Sequence, residues 1–201
     1  MFKLILAAAI SISTFPVHAE SQAAAGCRYP WPQIKSSWSN YQDSPTEKAA
    51  TALLKNLRAQ EGRENPDCEA FKSFIERMDV ASEKLSSLTS RKSTHAIEIA
   101  FALYKFSDGA FAETLSGVIG NSSTQDPETF LTQVSLFNPN TQTCSFITNT
   151  ESGEDYTPQA LKKIDEKRLK SLSSVKIPAL AKMKATCIEA LKTDLKKIKT
   201  L

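Results

Sequence analysis

Four apolar stretches of this chain are each preceded by a polar residue and a proline: Ser44-Pro45, Asn65-Pro66, Asp126-Pro127 and Thr157-Pro158. Ser, Asn, Asp and Thr side chains accept the free N–H groups at a helix start, and proline is preorganised for the first helical position. Each pair predicts a helix. Behind them apolar residues recur at intervals of three and four, and no segment alternates apolar and polar residues as a half-buried strand would. The expected fold class is all-α: six to eight helices in a single bundle or short stack.

The punctuation sets the expected elements. Ser44 at the N-cap, Pro45 and Glu47 form a capping box for a helix to about Gln60, with Leu53, Leu54 and Leu57 inward and Gly62 ending it. Cys68, Phe71, Ile75 and Met78 fall on one stripe of the helix after Asn65-Pro66, and Val80 to Leu88 extend it or form a short helix. Thr94 is the expected cap of a helix to about Phe106, apolar around much of its circumference and therefore central. Asp108 caps the next, with Phe111, Leu115, Val118 and Ile119 buried, Gly109 allowing close packing and Gly120 as terminator. After Asp126-Pro127 come Phe130, Leu131, Val134, Leu136 and Phe137, all expected inward, and Pro139 stops that helix. Residues 138–156 read as loop, with Phe146 and Ile147 anchoring it near Cys144. Thr157-Pro158 opens a helix that Ile177-Pro178 breaks, and the last helix carries Leu180, Met183, Cys187, Leu191, Leu195 and Ile198.

Residues 1–19 have the order of a secretory signal peptide: Lys3, an apolar run from Leu4 to Ile12, and a Val17-His18-Ala19 cleavage site. The run is far below the roughly 18 residues needed to span a bilayer, and no second one follows. Cleavage after Ala19 leaves 182 of the 201 residues, from Glu20 to Leu201, a length that suits one domain. The expected division is signal peptide 1–19, an extended segment 20–43 in which Pro30 and Pro32 restrict their neighbours, and an all-helical domain 44–201. The expected location is periplasmic or secreted.

An exported chain meets an oxidising compartment, so the even set Cys27, Cys68, Cys144 and Cys187 reads as two disulfides. Four cysteines allow three pairings. The preferred one is Cys27–Cys68 with Cys144–Cys187, each closing a loop of about 40 residues. Ala24-Ala25-Gly26-Cys27 loosely matches a lipobox, which would place a lipid on Cys27. Against this, Ala24 stands where leucine is usual, polar residues separate Cys27 from the apolar run, and three cysteines would remain. No C-x-x-C occurs and His95 is the sole histidine after residue 19, so neither a metal nor another cofactor is expected.

Charge divides unevenly. Residues 106–161 hold seven acids and no Lys or Arg, whereas residues 162–201 hold twelve Lys or Arg and four acids, a local net of +8. Lys182, Lys184, Lys192 and Lys196 belong to this basic stretch. It forms either solvated helix faces that attract the acidic part of the fold or a surface for an anionic membrane or polyanion. Trp31 between Pro30 and Pro32, followed by Trp38 and Tyr41, forms with them either an apolar strap or a flat binding platform. His95 has no nucleophile motif with it, and Glu98 with Glu113 is the one carboxylate pair that suggests glycoside hydrolysis. No catalytic residue is assigned.

The stretch Tyr104 to Leu115 (YKFSDGAFAETL), continued through Gly120 and Pro127-Glu128-Thr129-Phe130-Leu131, resembles a pattern in uncharacterised secreted or periplasmic bacterial helical proteins. The resemblance covers residues 97–137, implies an armadillo- or HEAT-like stack of helices, and carries no function. The expected function is a non-enzymatic interaction module of the bacterial envelope, such as an immunity or inhibitor protein, whose partner is another envelope or secreted protein and not nucleic acid. Two alternatives are a cell-wall-binding or cell-wall-cleaving protein, and a binder of anionic surfaces through the basic C-terminal helices.

Overall fold

A computed structural model describes residues 31–59, 78–107, 109–137, 144, 146, 147 and 157–198. Among them are eight α-helices and no strand: α1 Trp31–Asp43, α2 Glu47–Arg58, α3 Met78–Ser90, α4 Thr94–Tyr104, α5 Gly109–Gln125, α6 Pro127–Phe137, α7 Pro158–Ser174 and α8 Ala181–Ile198. A 3₁₀ turn, Pro178–Leu180, joins the last two. The all-α expectation is met.

Helix α4 is the centre. Ala96, Ile97, Ile99, Ala100, Phe101 and Leu103 are all buried on a helix of eleven residues. A helix apolar on most sides must be covered on most sides, and α2, α3, α5 and α6 pack against it. Around this, α1 packs on α2, α3 on α5, α5 on α7, and α7 on α8. The buried side chains form one cluster running from Ile34 to Leu191.

Residues 31–43, expected to be extended, form α1 instead. Pro32 lies in the first turn, where a missing N–H costs nothing. Beyond it Ile34, Ser37, Trp38 and Tyr41 are buried at helical spacing. Four local expectations also change. The N-cap of α2 is Thr46, whose Oγ1 accepts from the Ala49 N–H, not Ser44. Ser93, not Thr94, caps α4. Gly120 does not end α5. The helix continues to Gln125 with the Ser122 and Ser123 hydroxyls donating back to the Ile119 and Gly120 carbonyls, both at 2.6 Å. Gly109 has no close neighbour where a Cβ would stand, so it is needed for its φ of +47° rather than for packing. The Asp108 cap, the helix after Asn65-Pro66 and the Pro139 stop lie outside the described residues.

Asp126 joins α5 to α6. Its Oδ1 accepts from the Thr129 N–H at 3.1 Å and its Oδ2 from the Thr129 hydroxyl at 2.7 Å. Thr94 Oγ1, at the start of α4, donates to the same carboxylate at 3.4 Å. Cys144 and Cys187 form a disulfide with Cα atoms 5.2 Å apart. Cys27 and Cys68 lie outside the described residues. Next to the disulfide, Arg168 Nη1 donates to the Ile147 carbonyl at 2.8 Å and lies 3.5 Å from Asp165 Oδ1. Both charged side chains are almost wholly buried. Losing one partner of such a pair costs about 3–5 kcal/mol, because the other is left uncompensated.

Helix α3 ends in a Schellman motif. The Ser93 N–H donates to the Leu88 carbonyl and the Lys92 N–H to that of Thr89. The residue in the left-handed position is Lys92, at φ 60°. A side chain there costs about 1–2 kcal/mol, and the greater freedom of unfolded glycine returns about 0.4–1 kcal/mol of it. Lys92→Gly should therefore raise Tm by about 2–4 °C. A thermal melt that shows a lower Tm for this variant would contradict the motif.

Candidate functional site

A partly enclosed concavity lies between α2, α4 and α6. It is a groove of about 250 Å³ with Phe101, Phe106 and Phe137 on its floor and Arg58, Glu98, Lys105, Gln133 and Leu136 around it. Each wall has a local cause. The buried stripe of α2 (Ala50, Leu53, Leu54 and Leu57) turns inward, which leaves Arg58 at the rim. Glu98 falls on α4 between buried Ile97 and Ile99, and Lys105 follows two turns on as the C-cap of that helix. On α6, Phe130, Leu131 and Val134 are inward, and Leu136 falls off that stripe. Leu136 was expected inward but is 70% exposed.

The rim is charged and paired. Arg58 Nη2 stands 3.8 Å from Glu98 Oε2, and His95 Nδ1 stands 3.9 Å from the same oxygen. Lys105 Nζ lies 5.3 Å from the centre of the Phe137 ring, within cation–π range. The floor is braced from behind. Phe146 meets Tyr104, Phe101 and Phe137 edge-on with ring centres 4.7, 5.7 and 5.8 Å away. Edge-to-face contacts of this kind add about 0.5–1.5 kcal/mol each beyond the area buried. The groove can thus take an apolar side chain and meet its polar flank with charges of both signs. Among the described residues no group of three His, Cys, Asp or Glu side chains could hold a metal ion.

The residues singled out from the sequence scatter. Trp38 and Tyr41 are 5% and 1% exposed and lie together, ring centres 6.2 Å apart, in the core, so they form part of the interior and no open platform. The side chain of Trp31 lies outside the described residues. Lys182, Lys192 and Lys196 are exposed on the outer side of α8. Lys184 is not on that side: its Nζ donates to the Val175 carbonyl at 2.9 Å and ties the turn between α7 and α8. Glu113 is exposed on α5 and is not among the residues lining the groove that holds Glu98. Arg58, Lys105 and Leu136 were missed as site residues. They are 47 and 31 residues apart along the chain, and only the packing of α2, α4 and α6 brings them together.

Burial raises the Tyr41 phenol above its ordinary value of 10.0, and the nearby Ser93 side chain works weakly the other way, although no hydrogen bond to that hydroxyl has good geometry. The neutral phenol is the form the fold favours. Its stabilisation is whole below pH 10, where both states keep the proton. It falls as pH rises from there toward the folded value, because the unfolded chain ionises first. Denaturant titrations of the wild type should lose stability above about pH 10, and Tyr41→Phe should flatten that limb. An alkaline limb unchanged in the variant would contradict this.

Comparison with protein-family models, curated proteins and solved structures gave no match in any of the three.

Proposed function

We propose that this chain is an exported, non-enzymatic interaction module that captures another envelope or secreted protein in the groove between α2, α4 and α6. The observation that carries the reading is Leu136. A single exposed leucine is ordinary on a protein surface, but this one stands 70% exposed at the edge of a concavity with an aromatic floor and a charged rim, so apolar surface and cavity adjoin. An apolar centre with a polar rim is the anatomy of a protein-binding patch, whose energy rests on a few anchors. A scaffold stapled by Cys144–Cys187 keeps such a patch preorganised and suits an oxidising compartment. The leader-like residues 1–19 support export. An immunity or inhibitor role is the specific form of this reading, since it needs only a rigid binding face. We read the scaffold itself as a short stack of helix pairs of the armadillo or HEAT kind, on the side-by-side packing of α1 with α2 and of α7 with α8.

Photo-cross-linking tests it. A photoreactive residue at position 136 should trap one protein in the producing cell, and the same residue at exposed position 113 should not. Leu136→Asp should then weaken binding of the trapped protein by about 30-fold or more, the scale of an interface anchor, with an unchanged melting curve. Equal trapping from both positions, or none, would count against the groove.

A further inference from the structure

The turn between α7 and α8 carries the second exposed large apolar residue among those described, Ile177, at 40%. It is fixed rather than loose. Val175 and Leu180 on either side are buried, the Lys184 ammonium holds the Val175 carbonyl at 2.9 Å, and the Leu180 N–H bonds the Ile177 carbonyl at 3.1 Å. Pro178 and Ala179 beside Ile177 are exposed as well. The charges on the turn itself and on the adjoining ends of α7 and α8 are basic, while the start of α6, which packs on the 3₁₀ turn, carries Asp126 and the exposed Glu128. Lys176 adjoins the tip, Lys182 stands in the first turn of α8, and Lys170 lies one turn before the end of α7, all exposed. Beyond the tip, the outer sides of both helices carry further exposed lysines, interrupted by Glu166, Glu189 and the partly exposed Asp194. Within the described residues the charged pairs of these helices are Lys162–Glu166, Asp165–Arg168 and Lys197–Asp194, none at the tip.

We infer that this tip docks on an anionic lipid surface, with Ile177 entering the headgroup layer and the lysines held over lipid phosphates. Charge complementarity alone would suit any polyanion. The rigid apolar point favours the bilayer over a soluble polyanion, because burial of Ile177 gains free energy only against apolar surface, which acyl chains offer and a polyanion such as heparin does not. Each lysine near such a surface changes partitioning about fivefold. This site is separate from the groove, and neither depends on the other.

The test uses the full chain in sedimentation with phosphatidylcholine vesicles, with and without phosphatidylglycerol, and heparin affinity as the comparison. The Leu4–Ile12 run is common to all variants, so the differences between variants are the readout. The wild type should bind the anionic vesicles more tightly than the neutral ones and lose that preference near 1 M salt, where the Debye length is about 3 Å. Lys176→Glu with Lys182→Glu should weaken anionic-vesicle binding about 25-fold or more. Ile177→Ser should weaken it about fivefold while leaving heparin affinity unchanged, with both variants melting as the wild type does. Equal binding to neutral vesicles would overturn the proposal. So would anionic-vesicle binding that Ile177→Ser leaves untouched, which would mark the tip as a site for soluble polyanions.

Discussion

The shape of the groove depends on how Cys144, Phe146 and Ile147 are held against α4. These residues are in 3₁₀ conformation and belong to no long helix. Three kinds of contact hold them. The disulfide joins Cys144 to α8. The Arg168 guanidinium, itself balanced by Asp165, takes the Ile147 carbonyl. Between them the Phe146 ring fills the space enclosed by Phe101, Tyr104 and Phe137. By the chain-entropy model a cross-link spanning 43 residues removes about 4 kcal/mol of unfolded-state freedom. The ion pair is a poorer source of stability, since burying two charges consumes most of what their attraction returns. Its effect is on position: one buried carbonyl is satisfied at one place, and Phe146 beside it has one seat.

From that seat the consequences pass outward. Phe101 and Phe137 form the groove floor on one side and meet Phe146 on the other. The cystine on α8 therefore braces a surface on α4 and α6 through Phe146. The same helix pair, α7 and α8, supplies the brace through its inner face and the lysines through its outer face. Cys187 and Leu191 are buried while Lys182, Lys192 and Lys196 are exposed, which is the separation that a helical period of 3.6 imposes on one sequence.

Much of the helical framework was legible because it rests on local chemistry. Thr157 and Asp126 accept N–H groups three residues on, and the prolines after them fit the first turn, so those starts fell where their side chains put them. The apolar density of α4 announced a central helix. Helix α1 was lost to its prolines, although Ile34, Trp38 and Tyr41 lie at the spacing of one helix face and carried the contrary signal. Caps were misplaced by one or two residues where several hydroxyls compete, as at Ser44 and Thr46. Leu136 was assigned inward because it sits beside Phe137, yet adjacent residues on a helix point about 100° apart. The groove could not be read at all. Arg58, Glu98, Lys105 and Phe137 come from three helices, and no local pattern encodes which helices meet.

The most direct test of this dependence is hydrogen exchange on a Cys144→Ser, Cys187→Ser double variant compared with the wild type. If the cystine holds Phe146 beneath the groove, protection should fall in α6 and in the C-terminal half of α4, as well as in α8, while α1 and α2 keep theirs. Loss of protection confined to α8, with α4 and α6 unchanged, would contradict it.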